Sequence, residues 1–79
     1  MANWMKVTKP NIEMAHGFQV YQSALINLDA ATSFALQTAG SVAVFIEGKA
    51  YVIQQQFDVK AYDMVMKYIQ ARTQGQTLP

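Results

Sequence analysis

Two neighbouring apolar segments, separated by a single glycine, constrain the fold of this chain more than any other feature. Residues 41–47 and 49–55 are rich in β-branched and aromatic side chains, and Gly48 lies between them. Runs of this kind on either side of a turn glycine predict a β-hairpin. With a two-residue loop at Glu47 and Gly48, the facing pairs would be Ile46 with Lys49, Val44 with Tyr51 and Val42 with Ile53.

Both faces of this predicted hairpin are apolar. One face would hold Val42, Val44, Ile46, Tyr51 and Ile53. The other would hold Ala43, Phe45, Ala50 and Val52. An antiparallel pair that faces water has one polar side, so two apolar sides predict that both are covered.

Charge is scarce in the same part of the chain. Between Met14 and Ile46 the only formally charged side chain is that of Asp29, and 14% of all residues are charged while 52% are hydrophobic. Ordinary domains carry about 25% charged residues. This composition excludes an intrinsically disordered chain. A net charge of +1 argues against a nucleic-acid domain that acts through a basic field, and we predict no nucleic-acid partner.

The remaining elements are predicted from shorter signals. Residues 4–8, 23–28 and 32–37 are typical of strands, and the last of these should pair with residues 41–47 in a meander. Residues 11–22 allow two interpretations. Helical spacing links Met14, Phe18 and Tyr21, whereas alternation after Gly17 favours a strand. We favour a loop followed by a long strand from about Phe18.

The last element is predicted to be a helix over residues 58–72. Asp58 is a typical N-cap residue, because its carboxylate can accept hydrogen bonds from free N–H groups of the first turn. Apolar residues then recur every three or four positions, which predicts one buried stripe: Val59, Tyr62, Val65, Met66 and Ile69. Residues 1–72 would form a single domain, and residues 73–79 a flexible polar tail.

Few residues of this chain are candidates for catalysis or metal binding. His16 is the only histidine and has no partner at a useful spacing, and there is no cysteine. Asp29 is interpreted as an acceptor for its own turn. No pair of carboxylates, phosphate loop or metal-ligand spacing is present. We therefore predict no enzyme activity, no catalytic residues, no cofactor and no metal.

The apolar window of residues 30–46 is too short and too rich in hydroxyl and amide side chains for a membrane span. The first residues also lack the pattern of a secretory signal. We expect a cytoplasmic protein with no membrane partner.

The order and spacing of the predicted strands and turns resemble a pattern that recurs in small proteins. It includes Ile26-Asn27-Leu28-Asp29, Gly40-Ser41-Val42, Val44-Phe45-Ile46-Glu47-Gly48, Tyr51-Val52-Ile53 and Gln56-Phe57-Asp58, with residues 4–8 as the opening strand. Short bacterial and phage proteins with a β-meander and one terminal helix are similar, and small flagellar FlbD-type proteins share the outline. Residues 9–23 depart from this pattern by being long and apolar. The resemblance implies the fold and brings no catalytic residues with it.

These observations predict an α+β domain: an antiparallel meander of four to five strands with one C-terminal helix packed on one face. The helix would cover one apolar face and leave the other exposed, so we expect a non-catalytic interaction or structural module that forms a homo-oligomer, with a dimer favoured. The alternative is a small apolar-ligand-binding protein with a pocket on the sheet face. The candidate contact residues are Trp4, Phe18, Tyr21, Phe34, Phe45 and Tyr51.

Overall fold

The computed structural model of this chain describes residues 3–38 and 40–73. It has the predicted α+β architecture, with antiparallel strands and one C-terminal helix packed on a sheet. The predicted tail lies, apart from Thr73, outside the described residues. The strands are β1 (Trp4–Thr8), β2 (Asn11–Met14), β3 (Gly17–Val20), β4 (Ser23–Asn27), β5 (Ser33–Gln37), β6 (Ser41–Ile46) and β7 (Lys49–Gln54), and the helix is α1 (Val59–Arg72).

Five strands form the larger sheet, in the order β3-β2-β7-β6-β5. The hairpin of β6 and β7 has the predicted register, in which Val44 faces Tyr51 and Val42 faces Ile53. Glu47 and Gly48 both have positive φ, +51° and +79°, which is the two-residue turn whose twist matches that of the flanking strands. Strand β5 pairs with β6 as expected for a meander.

Residues 11–20 form a hairpin rather than the expected loop and long strand. Its two strands, β2 and β3, pair around Ala15 and His16. Gly17 closes the turn with a φ of +137°, a value that residues with a Cβ rarely adopt. The glycine at which the strand alternation begins is therefore the residue that closes the hairpin.

The first four strands form one long ribbon that is shared by two sheets. Trp4 pairs with Asn27 and Met14 with Gly17, and the register is unbroken between these ends. The Lys9 N–H donates to Gln22 across the bend. Beyond the bend β2 joins the larger sheet through β7, whereas β1 and β4 form a separate two-stranded sheet.

The buried side of this ribbon changes at the bend. In β1 the odd-numbered Met5 and Val7 are buried, whereas beyond it the even-numbered Pro10 and Ile12 are. The change coincides with Lys9, whose φ of +52° lies in the left-handed region. A single residue of this conformation interrupts the strand alternation of side chains.

The main core lies between one face of the larger sheet and a layer made of α1, β1 and β4. Val42, Val44 and Ile53 contribute fully buried side chains from the sheet. The other buried members of this cluster are Met5, Val7, Ile26, Leu28, Ala61, Val65 and Ile69.

The helix begins as predicted but buries a slightly different stripe. The Asp58 carboxylate accepts a 3.0 Å hydrogen bond from the Ala61 N–H, and its second oxygen accepts a 2.9 Å bond from the Thr8 N–H. Val59 was expected in the buried stripe, but it is exposed. Ala61 is buried in its place, because the first turn is oriented by the Asp58 cap and its bond to β1.

Candidate functional site

The larger sheet has one face that carries neither the helix nor the second sheet. We call it the open face. Because directly paired residues point to the same side of a sheet, the strand registers define its members. They are Asn11, Glu13, Phe18, Val20, Ser33, Ala35, Gln37, Ser41, Ala43, Phe45, Ala50, Val52 and Gln54.

The open face is apolar and flat at its centre. Ala43 and Val52 are buried by their neighbours, outside the main core cluster. Larger apolar residues lie around Ala43 and Val52 on this face. The exposed fractions are 69% for Phe18, 58% for Val20 and 37% for Phe45. Among these strand positions Glu13 is the one charged residue. The remaining members of the face are polar, apart from Ala35 and Ala50. Its apolar members form an exposed patch that would be favourably buried against an apolar partner.

The two outer strands of this sheet are also unusually neutral. Strand β3 has the sequence GFQV and strand β5 has SFALQ. Proteins commonly protect free strand edges with charged side chains or proline, and neither strand contains one. Every residue of β3 is exposed, so this edge is accessible to another strand.

The predicted contact residues fall into three places. Phe18 and Phe45 lie on the open face. Phe34 and Tyr51 lie on the opposite face, where they pack against the main core. Tyr21 lies at the bend of the ribbon, where its N–H donates to Pro10.

Trp4, the remaining predicted contact residue, lines a groove beside the helix. This groove, which we call the helix groove, has a volume of about 560 Å³. Its other wall is the C-terminal half of α1, which contributes Met64, Lys67, Tyr68, Ala71 and Arg72. Asp29 and Leu28 complete the lining together with Asn3.

Asp29 ties three distant segments together at this groove. Its Oδ1 accepts a 2.7 Å hydrogen bond from the Tyr68 hydroxyl and a 3.0 Å bond from Asn3 Nδ2. Its Oδ2 accepts a 3.1 Å bond from the Asn3 N–H. The expected acceptor role within its own turn is taken by Asn27, whose Oδ1 receives the Asp29 N–H.

These bonds shift two pKa values in opposite directions. The hydrogen bond from Tyr68, followed by that from Asn3, lowers the pKa of the Asp29 carboxyl. The same bond raises the pKa of the Tyr68 hydroxyl, because donation to a carboxylate favours the protonated phenol. The lowered pKa favours the ionised form of Asp29, which accepts three hydrogen bonds from Asn3 and Tyr68.

Arg72 extends the network toward solvent. Its Nη1 donates a 3.0 Å hydrogen bond to the Tyr68 hydroxyl, and its guanidinium carbon lies 5.7 Å from the centre of the Tyr68 ring. The Tyr68 ring also packs against Phe34, with centroids 5.9 Å apart. Tyr68 is thus held from three directions.

Only part of this network can be predicted from local spacing. Tyr68 and Arg72 are four residues apart, a spacing that places them on one helix face. Asn3 and Tyr68 lie 26 and 39 residues from Asp29, and no local pattern connects residues so far apart.

The described residues include no group of three or more His, Asp or Glu side chains placed to hold a metal ion. Within residues 3–38 and 40–73, no helix is long and apolar enough to cross a membrane. His16 lies at the tip of the β2–β3 hairpin, beside a hollow of about 260 Å³ that Met14 and Phe18 also line.

The resemblance to FlbD-type and similar short proteins stays a prediction. Comparisons of the chain with protein-family models, with curated proteins and with solved structures give no match.

Proposed function

We propose that this protein is a non-catalytic interaction module that self-associates through the open face of its sheet. The observation that carries the proposal is the position of α1, β1 and β4, which pack on one side of the sheet only. The other side keeps Phe18, Val20 and Phe45 in contact with water. A second copy of the same face would bury these side chains around the small residues at its centre.

Face-to-face contact suits this surface better than contact with a charged partner. Two sheets pack about 10 Å apart through interdigitating side chains. A row of alanines between larger residues supplies hollows for the larger residues of a second copy. Because Glu13 is the only charged member of the face, a C2 dimer would bury little charge if the Glu13 side chains stay at its rim. We also propose a bacterial or phage origin, which rests on the sequence resemblance alone, and a cytoplasmic setting, which rests on the composition of residues 30–46.

Sedimentation equilibrium with a matched pair of variants tests the proposal. Val20 and Leu25 are both exposed strand residues, but Leu25 lies on the outer side of β4, away from the open face. We expect the unchanged chain to dimerise at micromolar concentration. Val20→Lys should produce a monomer and Leu25→Lys should remain a dimer. A stable monomer of the unchanged chain at about 100 μM, or equal dissociation of both variants, would refute the proposal.

The alternative function, binding of a small apolar ligand on the sheet face, is supported by the hollow at the β2–β3 tip. Its volume of about 260 Å³ lies just below the ~300 Å³ at which ligand pockets begin. A monomer that binds one molecule of an apolar fluorescent dye, and loses that binding in Phe18→Lys, would favour this alternative, because Phe18 lines the hollow.

A further inference from the structure

The helix groove presents a stripe of α1 that lies mostly outside the core, with Tyr68 as the member that packs against it. Residues 64, 67, 68, 71 and 72 follow the i, i+3, i+4, i+7, i+8 spacing of one helix face. The stripe lies beside the buried one formed by Ala61, Val65 and Ile69. This stripe combines apolar and cationic side chains, and Trp4 faces it across the groove. Its members are Met64, Lys67, Tyr68, Ala71 and Arg72.

The charges in the groove favour a ligand with a single negative charge. Lys67 and Arg72 carry positive charges, and Asp29 is the one acidic residue in the lining, so the lining carries a net charge of +1. Both oxygens of Asp29 already accept hydrogen bonds from neighbouring residues. One carboxylate would neutralise the net charge of the lining, so a monocarboxylate matches it in charge.

Arg72 is arranged to receive a carboxylate. Its bond to the Tyr68 hydroxyl uses one of the five N–H donors of a guanidinium. This bond and the nearby Tyr68 ring, whose centre lies 5.7 Å from the guanidinium carbon, restrain the Arg72 side chain. A restrained guanidinium loses less entropy when it binds a planar carboxylate through two hydrogen bonds. Lys67, one turn earlier on the same stripe, adds a second positive charge.

The apolar part of the groove is suited to an aromatic ring. The Trp4 indole is 61% exposed and Met64 is 50% exposed. An aromatic ring can stack on the indole and contact the methionine sulfur. Ala71 has no bulk to obstruct it. A volume of about 560 Å³ falls in the range of small-molecule sites.

We propose that the helix groove binds a small aromatic monocarboxylate. Its ring lies against Trp4 and Met64, and its carboxylate is bound by Arg72 and Lys67. The site is separate from the open face, so this inference does not depend on self-association.

Fluorescence of Trp4 provides a local measurement, because it is the only tryptophan in the chain. We would titrate the full chain with 3-phenylpropionate and with its neutral amide, both of which are transparent where tryptophan is excited selectively. The carboxylate should change the Trp4 emission with saturation at millimolar concentration or below. The amide should bind about tenfold more weakly or worse, because it lacks the charge-assisted hydrogen bonds.

Charge-removing variants locate the carboxylate. Lys67→Gln and Arg72→Gln should each weaken binding about three- to tenfold. Lys60→Gln, which removes an exposed charge from the first turn of the same helix, should leave it unchanged. Arg72→Lys should bind with intermediate affinity, because it keeps the charge and loses the planar fork. Thermal melts of each variant establish that it is folded.

Two further variants locate the ring. Trp4→Leu, followed by calorimetry, should weaken binding, whereas Val20→Lys on the open face should not. The proposal is overturned if the amide binds as tightly as the carboxylate, if Lys60→Gln weakens binding as much as Lys67→Gln, or if Val20→Lys abolishes it. No response of Trp4 at about 10 mM ligand would overturn it as well.

Discussion

The hydroxyl of Tyr68 and the carboxylate of Asp29 are joined by a 2.7 Å hydrogen bond across 39 residues of sequence. This bond attaches the C-terminal half of α1 to the turn that follows β4. Tyr68→Phe should keep the ring packing on Phe34 and remove the bond. We expect a melting temperature a few degrees lower and an Asp29 pKa closer to its ordinary value, because its first donor is lost. Carboxyl chemical shifts in an NMR titration would measure that pKa, and an unchanged value would contradict the prediction.

The same pair should make stability depend on pH at both ends of the range. Asp29 has a lowered pKa in the folded state, so its contribution is present above about pH 4 and is lost as the pH falls through the folded value. Tyr68 has a raised pKa, so its contribution is present below about pH 10 and is lost as the pH rises through the folded value. Urea unfolding across pH would measure both effects.

Tyr68→Phe is the control for this pH dependence. It should flatten the alkaline decline and reduce the acid decline. Because the pair is exposed, salt should weaken both effects. Identical pH profiles for the variant and the unchanged chain would contradict the assignment.

Asp58 should contribute more to stability than another aspartate of the same helix. Burial alone would raise the pKa of its carboxyl, but hydrogen bonds from the N–H groups of Ala61 and Thr8 outweigh it, so the pKa is lowered. Asp58→Ala removes the helix cap and the bond to β1, and we expect a loss of about 2 kcal/mol. Asp63→Ala, on the exposed side of α1, should change stability by less than about 0.5 kcal/mol. Equal losses in urea unfolding would show that the cap contributes little.

The turn between β6 and β7 can be improved. Glu47 has a φ of +51°, and a residue with an ordinary side chain is strained there, whereas asparagine tolerates it. Glu47→Asn should therefore stabilise the protein by about 0.5–1 kcal/mol. Gly48→Ala should destabilise it by about 1 kcal/mol, although no atom lies within 4 Å of the added methyl group. A neutral alanine variant would contradict the backbone explanation.

Amide hydrogen exchange distinguishes contact through the open face from pairing of edge strands. Face-to-face contact buries side chains and leaves the outward N–H groups of β3 free. Their exchange rates should then be the same in dilute and concentrated samples. Slower exchange at Phe18 and Val20 in concentrated samples alone would indicate that β3 pairs with another strand.

Sequence reasoning succeeded where the determining interactions are local. The hairpin around Gly48 and its register follow from a two-residue turn between β-branched runs. The Asp58 cap follows from one side chain and the N–H groups directly after it. In both cases the contacts lie within a few residues of each other, so a short window contains the information.

It failed where the contacts are distant or the turn residues are uninformative. Ala15 and His16 have no turn preference that would distinguish a hairpin from a loop. The positive φ of Gly17, which closes the hairpin, is known only from the structure. The Asp29 network needs Asn3 and Tyr68 to meet in space. The buried side of the ribbon changes at Lys9, where φ is positive. Pro10, which follows it, predicts that β1 ends there but does not predict the change of side.

The ribbon that joins the two sheets determines where the chain can accept a change in length. An added residue at Ala15 or His16 enlarges an exposed loop and leaves every strand pair in place. The same addition within β1 shifts Met5 or Val7 out of the core. A residue added between β1 and β2 would move Lys9, which has the left-handed φ, away from the bend. Length variation should therefore be tolerated at the hairpin tip and rejected along the four strands, even though most side chains of β3 point into water.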